Sequence, residues 1–410
     1  MINKKNITLV FNHFETEHFG KDVFLVPYYL GKIYNLNVTI VYPKTKTNKD
    51  FPPETRGVVL KPVNNIFSKK PHSGHRILKE LVFLLYIIQN AKRIDILMRF
   101  HLSDETVLIG VFYKWLNPYG LLYVKADGGK DFVNRNFDIK TFNPLKLIKR
   151  IIKRCLYSSF IKNVDLITVE TKPVYIQFKN AVIFDVELNK KTRLMYNGFD
   201  EEQFLQYNIN VNVFPEKENI IITVGRLGTK QKNTEMLLEA AKNVDLKEWK
   251  IVFIGPIEKD ECDFQKYIDD FFIENHRLQE KVIFTGPVYD KEKLWQWYNR
   301  AKVFVLPSRW ESFAIVLAEA FVFRNYIIST DVGCAGELIE LGYGELIPQD
   351  NASFLCKTLQ RLIDEDRLEL IHKKVNWESI DISWVKCIKE VFDPILQNKK
   401  NEYTNNIKLF

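Results

Sequence analysis

One segment of the chain, residues 303–322, constrains the fold more than any other. It opens with Val303 to Leu306, a short run of apolar and β-branched residues that ends at Pro307 and Ser308. Such a run is typical of a parallel strand covered on both faces. An almost wholly apolar stretch follows from Ile315 to Val322, which predicts a helix packed against the same sheet. The order of strand, turn and helix indicates an α/β chain with parallel crossovers.

Two acidic residues interrupt this apolar segment. Glu311 lies in the turn, and Glu319 lies eight positions later in the predicted helix. At about 1.5 Å rise per residue their backbones are roughly 12 Å apart, a span that suits a nucleotide sugar held at its hexose and its ribose. The free N–H groups at the start of the helix, around Ser312, Phe313 and Ala314, offer an anion site for phosphates. The structural alternative is that Glu311 caps the helix and Glu319 is a solvated helix acid.

A second strand and turn supply cations. Residues 220–227 read as a strand that ends in Gly225 and Arg226, and Lys232 follows shortly before the next predicted helix. Glycine lets the backbone turn at the carboxyl end of the strand, where ligands bind in open α/β sheets. Arg226 can meet phosphate oxygens with two parallel N–H groups, and Lys232 or Lys230 can add a point charge. Taken alone, such charges after a strand are usually ordinary surface residues.

The Glu-x7-Glu pattern after a Pro-Ser turn resembles the signature of retaining glycosyltransferases of family 4, which have the GT-B fold. The segment Ile327–Ile339 is similar to the family's next strand and glycine-containing turn, and Arg193–Asp200 resembles its Asn-Gly linker. The resemblance covers the linker and the second half of the chain closely and the first half only in its strand order. It implies an α/β protein of two Rossmann-like, doubly wound domains that face each other across a cleft, with a C-terminal helix that crosses back to the first domain.

The length of 410 residues suits two domains of ordinary size. We predict that residues 1–203 form an acceptor-binding Rossmann-like domain and that residues 204–380 form a nucleotide-sugar-binding one. Residues 381–397 would be the crossover helix, and residues 398–410 a disordered basic tail.

The resemblance also implies roles for individual residues. The catalytic residues would be Glu311, Arg226, Lys232 and Asp127. The donor would be bound by Glu319, Ser312, Phe313, Ala314, Gly225, Gly20, Pro287 and Val288. The acceptor side would hold His101 and Asp127. The sequence departs from the family pattern where Ser312-Phe313-Ala314 replaces Gly-Phe-Gly and where Asp127 replaces a histidine.

The implied activity is a retaining, metal-independent transfer of a hexosyl unit from a nucleotide-diphosphate sugar, with a UDP-sugar favoured. The acceptor would be a glycan or a lipid-linked sugar in bacterial cell-surface polysaccharide synthesis. No cofactor and no metal are expected, because no Asp-x-Asp pair stands at a predicted strand end. Two alternatives remain at this point: a non-catalytic GT-B partner subunit of a glycosyltransferase complex, and a nucleotide-sugar epimerase of the same fold.

The net charge of +8 predicts an anionic partner. Nucleic acid is disfavoured, because the chain has neither a basic strand studded with aromatic residues nor a zinc pattern. Residues Lys146–Arg154 form a basic amphipathic helix whose apolar stripe includes Ile148, Ile151 and Ile152. One interpretation is that this helix docks on an anionic membrane face. The other is that its apolar stripe packs on the domain core and its basic face is solvated.

Cysteine usage and hydropathy bear on location. The five cysteines are scattered and form no C-x-x-C pair, which predicts a reducing compartment. The N-terminus has no apolar leader, and the longest apolar run, Leu81–Ile88, is far shorter than the roughly 20 residues that span a bilayer. We therefore expect a cytoplasmic protein that is at most peripheral on the inner face of the plasma membrane.

Overall fold

The computed structural model describes residues 4–64, 76–126, 130–134, 143–258, 263–365 and 367–402. The chain forms two compact units. The first comprises Met1–Asn197 and Trp384–Phe410, and the second comprises Gly198–Ser383. The division therefore falls inside the Asn-Gly turn, six residues before the boundary predicted after residue 203.

The first unit contains ten strands and six helices before the chain leaves it, counted over the described residues. The strands are β1 (Asn6–Val10), β2 (Asn37–Pro43), β3 (Glu54–Thr55), β4 (Val58–Val63), β5 (Ile96–Phe100), β6 (Leu121–Ala126), β7 (Leu166–Val169), β8 (Val182–Ile183), β9 (Val186–Glu187) and β10 (Thr192–Leu194). The helices are α1 (Asp22–Tyr34), α2 (Arg76–Asn90), α3 (Asp104–Leu116), α4 (Lys130–Val133), α5 (Pro144–Asn163) and α6 (Lys172–Lys179).

Eight of these strands form one sheet in the order β10-β7-β6-β5-β1-β2-β4-β3. Every pairing is parallel except that of β3 with β4. The order reverses between β1 and β5, so the loops that follow these two strands border the crevice where open α/β sheets bind ligands. Apolar cores cover both faces of the sheet, and the central strands β1, β5, β6 and β7 are buried on both sides.

The second unit has a six-stranded parallel sheet in the order β13-β12-β11-β14-β15-β16. Its strands are β11 (Glu218–Val224), β12 (Lys250–Ile254), β13 (Val282–Gly286), β14 (Ala301–Leu306), β15 (Tyr326–Ser329) and β16 (Gly344–Leu346). Its helices are α7 (Glu201–Gln206), α8 (Thr234–Ala241), α9 (Phe264–Glu274), α10 (Lys291–Arg300), α11 (Ile315–Val322), α12 (Ala335–Ile339), α13 (Ala352–Glu365) and α14 (Leu368–Lys374).

This strand order is that of a dinucleotide-binding sheet, with its reversal between β11 and β14. The segment that follows β11 and the Pro-Ser turn that follows β14 therefore meet at the crevice of the second unit. Strand β14 is buried along nearly its whole length, as the apolar run from Val303 to Leu306 predicts. Both sheets agree with the expected doubly wound, Rossmann-like architecture.

The last helix, α15 (Trp384–Glu402), returns to the first unit. Trp384 and Ile388 are fully buried there, and the Tyr34 hydroxyl donates a 2.8 Å hydrogen bond to Asp393. The predicted crossover helix is thus present, but it begins at residue 384 rather than 381. It also continues through Glu402, so the first five residues of the predicted disordered tail are helical, while residues 403–410 lie outside the described range.

None of the helices in the described part of the chain is long and apolar enough to cross a bilayer.

Candidate functional site

The site in the second unit is built where β11 and β14 end. Gly225 follows β11 and Gly255 follows β12, and a Cβ atom on Gly255 would lie 1.8 Å from the Gly225 carbonyl oxygen. Only glycine at residue 255 therefore lets these two strand ends approach. The side-chain stem of Lys232 crosses over Gly225, since a Cβ there would lie 3.3 Å from the lysine Cε. Glycine at both positions opens the crevice for the Lys232 ammonium.

Lys232 and Glu311, both predicted as site residues, meet in this crevice. The Lys232 ammonium donates a 2.6 Å hydrogen bond to Glu311 Oε1, and the Ser308 hydroxyl donates to the same oxygen at 2.7 Å. Their side chains are only 13% and 8% exposed, respectively. The structure thus pairs Lys232, rather than Lys230, with the turn acid. Glu311 is held by side chains around it and is no freely solvated cap.

Gln231, which the sequence analysis missed, links the remaining predicted cation to this pair. Its amide nitrogen donates to Glu311 at 3.4 Å and to the Trp310 carbonyl oxygen at 3.1 Å. Its amide oxygen accepts a 2.8 Å hydrogen bond from Arg226. The Arg226 side chain is about half exposed and also lies 3.4 Å from Glu258. Arg226, Gln231, Glu311 and Lys232 therefore form one hydrogen-bonded row that lines the crevice.

The segment that carries Lys232 is fastened to the Pro-Ser turn by Arg309, also missed from the sequence. The Arg309 backbone N–H donates to the Gln231 carbonyl oxygen at 2.8 Å. Its guanidinium donates to the Lys230 carbonyl oxygen at 2.7 Å and to Asp350 at 2.8 Å. These contacts hold the two segments together and fix the Lys232–Glu311 geometry.

Glu319, the second acid, lies in a different environment. It is buried, and its carboxylate accepts hydrogen bonds from the Lys291 ammonium and from the Trp295 indole N–H, the latter at 3.3 Å. Burial raises the pKa of the neighbouring Tyr298 well above its usual value, and the Glu319 charge adds to that rise. Glu319 is therefore no solvated helix acid. A ribose diol would have to compete with Lys291 for this carboxylate.

The three residues between the acids lie just before the first turn of α11. Ala314 is the N-cap residue and has a φ of 67°, a left-handed conformation that favours glycine. Phe313 is buried, and its carbonyl oxygen accepts a 2.9 Å hydrogen bond from the Cys334 N–H. Ser312 is exposed. The helix itself begins at Ile315, so its first-turn N–H groups belong to later residues than the predicted ones.

Pro287 and Val288 follow β13, at the same carboxyl edge of the sheet as Gly225. Pro287 is exposed and Val288 is half-buried. The sheet order places β12 between their strand and β11. They line the edge of this surface and do not touch the Lys232–Glu311 pair through any hydrogen bond of the described residues.

In the first unit, the predicted residues surround a buried ionic cluster that the sequence analysis missed. Lys125, fully buried at the end of β6, contacts Glu170 and lies 3.1 Å from Asp22. Burial alone would raise the pKa of Asp22, but Lys125, with smaller contributions from Glu170 and His101, lowers that pKa below its usual value. Lys125 and Glu170 stand at a carboxyl strand end, and Asp22 opens α1.

The three predicted residues of this unit have different outcomes. Gly20 ends the short 3₁₀ turn before α1, and a Cβ there would meet nothing within 4 Å. His101 directly follows β5, is exposed and has a φ of 59°, and its backbone N–H donates a 2.9 Å hydrogen bond to the Lys125 carbonyl oxygen. Asp127 lies outside the described residues. The carboxyl edge of the first sheet thus carries His101 beside the buried cluster.

No group of three or more His, Cys, Asp or Glu side chains with the geometry of a metal site occurs among the residues that the structure describes. Lys232 and Arg226 supply positive charge at the second-unit site. These groups can hold an anion such as a diphosphate.

Part of the chain matches a known protein family. Residues 206–376 match the family described as glycosyl transferases group 1. The amylovoran biosynthesis glycosyltransferase AmsD of Erwinia amylovora is 27% identical over 168 residues, which cover 41% of this chain and 45% of that protein. The lipopolysaccharide core biosynthesis mannosyltransferase LpcC of Rhizobium leguminosarum bv. viciae is 26% identical, over 35% of this chain and 40% of that protein. The chain thus matches about half the length of these relatives or less.

Solved structures match over nearly the whole chain. Sucrose-phosphate synthase of Thermosynechococcus elongatus superposes with a TM-score of 0.67 at 17% identity, covering 97% of this chain and 100% of that one. HepE of Anabaena, in complex with UDP and glucose, gives a TM-score of 0.64 at 16% identity, covering 96% and 100%. At such low identity these matches show the fold alone.

Proposed function

We propose that this chain, which has the GT-B fold and whose residues 206–376 match the group 1 glycosyl transferases, is a retaining, metal-independent hexosyltransferase of family 4. The donor is a nucleotide-diphosphate sugar, with a UDP-sugar favoured. The acceptor is a glycan or a lipid-linked sugar in cell-surface polysaccharide synthesis. The observation that carries the proposal is the Lys232–Glu311 pair, joined through Gln231 to Arg226 at the crevice of the second sheet.

The proposed chemistry breaks the bond between the sugar C1 and the β-phosphate oxygen, and the bonding electrons move to the leaving diphosphate. An acceptor hydroxyl oxygen forms the new bond to C1 on the same face, and its proton goes to the leaving phosphate oxygen. Lys232 and Arg226 stabilise the negative charge that grows on the diphosphate. When the diphosphate takes the Lys232 ammonium, Glu311 becomes free to accept hydrogen bonds from the sugar hydroxyls.

The two ends of the donor would be held by the two acids. Glu311 would bind the hexose, and Glu319 would bind the ribose once Lys291 gives up its carboxylate. A UDP-sugar is favoured because HepE, which has a similar fold, is described with UDP and glucose. A polysaccharide acceptor is favoured because AmsD and LpcC are described as biosynthetic enzymes of amylovoran and the lipopolysaccharide core.

The experiment that tests the donor site is calorimetric titration of the purified chain with UDP, GDP, dTDP, ADP and CMP and with their common sugar derivatives. One diphosphate class should bind, and Lys232→Gln should weaken it at least tenfold, since it removes a charge-assisted hydrogen bond worth about 1.5–3 kcal/mol. Lys230→Gln is the matched control, because Lys230 is an exposed lysine of the same segment whose ammonium has no described contact with Glu311. Equal losses in both variants would refute the assigned role of Lys232.

The reaction itself is tested with the donor so identified. The product's anomeric configuration, read by NMR, should equal that of the donor, and turnover should persist in EDTA. A folded chain that binds no nucleotide would favour the non-catalytic partner subunit instead. Inversion at the anomeric carbon would refute retention while leaving donor binding intact.

A further inference from the structure

Helix α5 shows apolar side chains to solvent along its first three turns. Leu145, Ile148, Ile151 and Ile152 are 71%, 54%, 43% and 54% exposed. At about 100° per residue they fall within one arc of roughly 120° around the helix. Among the residues that the structure describes, nothing buries this arc. The expectation that the apolar stripe of this helix packs on the domain core is therefore wrong for these turns.

The opposite side of the helix makes the core contact. Tyr157, Phe160 and Ile161 are the buried residues of α5, and their angular positions coincide with the side that carries Lys146 and Arg150. The core thus anchors the last two turns through aromatic and aliphatic residues of that side. The apolar arc lies on the side of the helix that faces away from the core, so its exposure is not the result of a poorly packed helix.

The position of the anchored turns explains why the first turns of α5 do not contact the core. The Tyr157 hydroxyl donates a hydrogen bond to Asp104, the first residue of α3, and α3 begins four residues after β5 ends. Tyr157 is therefore level with the carboxyl edge of the first sheet. Residues before it extend past that edge, and Leu145, twelve residues earlier, lies roughly 18 Å away along the helix axis. The exposed turns project from the edge that carries His101.

Charge complements this apolar arc. Residues 143–163 contain six lysines and arginines and no acid. Five of them, Lys146, Lys149, Arg150, Lys153 and Arg154, lie in an arc of about 140° on the opposite side of the helix, where Lys149 and Arg154 stand nearest the edges of the apolar arc. An apolar face opposite a basic face is the pattern of a helix that lies in the headgroup layer of an anionic bilayer. A protein partner would have to be strongly acidic and apolar at once to match it.

We infer that the first three turns of α5 dock the chain on an anionic lipid surface. Leu145, Ile148 and Ile152 enter between the headgroups, and the long lysine and arginine side chains of the helix reach lipid phosphates. This docking lays the bilayer along the outer side of α5, next to the carboxyl edge of the first sheet. If the proposed transferase function holds, that edge lies close to lipid-linked acceptors, but the docking itself needs no nucleotide.

Vesicle flotation of the full chain tests the inference. Vesicles of phosphatidylcholine with about 30% phosphatidylglycerol should bind the chain, whereas vesicles of phosphatidylcholine alone should bind it weakly. Binding should fall between about 0.05 and 0.5 M salt, because screening shortens the reach of the charges. Lys146→Gln with Lys149→Gln should lower partitioning about 25-fold, at about fivefold per charge. Ile148→Asp with Ile152→Asp should lower it at least tenfold.

Matched controls lie on the second unit. Ile273 on α9 is 66% exposed, so Ile273→Asp makes the same chemical change outside the proposed surface and should leave partitioning unchanged. Thermal unfolding should move by no more than a few degrees in every variant. Nucleotide binding should be unaltered in the α5 variants, which separates a failure of docking from a failure of the proposed function.

Three results would overturn the inference. The first is a wild-type chain that ignores phosphatidylglycerol vesicles at low salt, and the second is an Ile148→Asp, Ile152→Asp variant that binds them as the wild type does. The third is a wild-type dimer in light scattering that this variant converts to monomer without any vesicle binding by the wild type. That result would make the arc an interface between two copies of the chain.

Discussion

Replacing Lys125 by methionine should destabilise the first unit and leave the second unit unchanged. Lys125 is fully buried between the Asp22 and Glu170 carboxylates, whose side chains are 14% and 5% exposed. Methionine fills a similar volume but removes the only cation that these described contacts give to the two acids. Glu170 would keep the Asn197 amide as a donor at 3.1 Å. The two nearly buried carboxylates would lose the ammonium that lies between them.

The expected magnitude follows from that geometry. Removing one member of a buried ion pair costs about 3–5 kcal/mol. The partial exposure of Asp22 and the remaining Asn197 hydrogen bond place this case at the low end, about 3 kcal/mol. At about 1.36 kcal/mol per decade, that loss raises the rate of amide exchange through unfolding of the unit roughly 150-fold.

Hydrogen exchange followed by mass spectrometry is the appropriate assay, because it reads each unit separately. Peptides that contain β6 and β7 should lose protection, and peptides that contain β11 and β14 serve as the internal reference. The measurement belongs near pH 7. The lowered pKa of Asp22 means that its contribution is present above an unfolded pKa of about 4 and is lost as the pH falls below it. The raised pKa of Lys125 keeps its contribution intact below about 10.

A second variant sharpens the test. Lys125→Met combined with Glu170→Gln removes one orphaned charge and keeps an acceptor for Asn197, so part of the lost protection should return. An increase of less than tenfold in the exchange of β6 and β7 would show that the buried cluster contributes little to stability. An equal increase in β11 would show that the effect is not confined to the first unit.

Two further predictions concern the second unit. His372 is buried among the rings of Phe214, Tyr343 and Trp377. Burial, with nearby cations, lowers its pKa to about 4. Because the unfolded chain binds the proton more tightly than the folded chain does, the folded state loses stability as the pH falls. Between pH 7 and 5 the free energy of unfolding should therefore drop by about 2 kcal/mol more in the wild type than in His372→Gln, measured by urea titration, and parallel pH profiles would contradict this. Gly333→Ala should lower the melting temperature by several degrees, since its Cβ would lie 2.3 Å from the Phe313 carbonyl oxygen at a φ of 57°. Gly336→Ala, in helix α12 with its nearest contact at 3.5 Å, is the control and should be neutral or stabilising; similar melting temperatures for the two variants would refute the steric argument.

Local sequence patterns predicted the elements that are buried on both faces. Strand β14 and the turn after it follow from an apolar run stopped by Pro307. The sequence assigned Lys232 and Glu311 to one site, after two strands that flank the sheet reversal, but it did not predict that the two side chains pair. Strand β4 was not predicted, because Lys61 and Pro62 interrupt its pattern. Parallel pairing with β2 overrides that local signal.

The parts that could not be predicted depend on contacts between residues far apart in sequence. Lys291 lies 28 residues before Glu319, and nothing in its surroundings marks it as the partner of a buried acid. Lys125, Asp22 and Glu170 come from three separate elements and meet only in the folded sheet. The orientation of α5 was equally hidden, since its apolar and basic stripes are both present in the sequence, while the anchoring residues that decide the direction come later in the helix.

The two places where the backbone passes between the units lie side by side: the Phe199 N–H donates to the Ile382 carbonyl oxygen at 2.8 Å. In terms of gene architecture, the second unit is a contiguous insert within the first, and residues 198–383 could be excised as one piece. The first unit has no such independence. A chain that stops before Trp384 would lose a fully buried tryptophan and the helix behind it, so the first unit needs Asn197 spliced to Trp384 through a short linker.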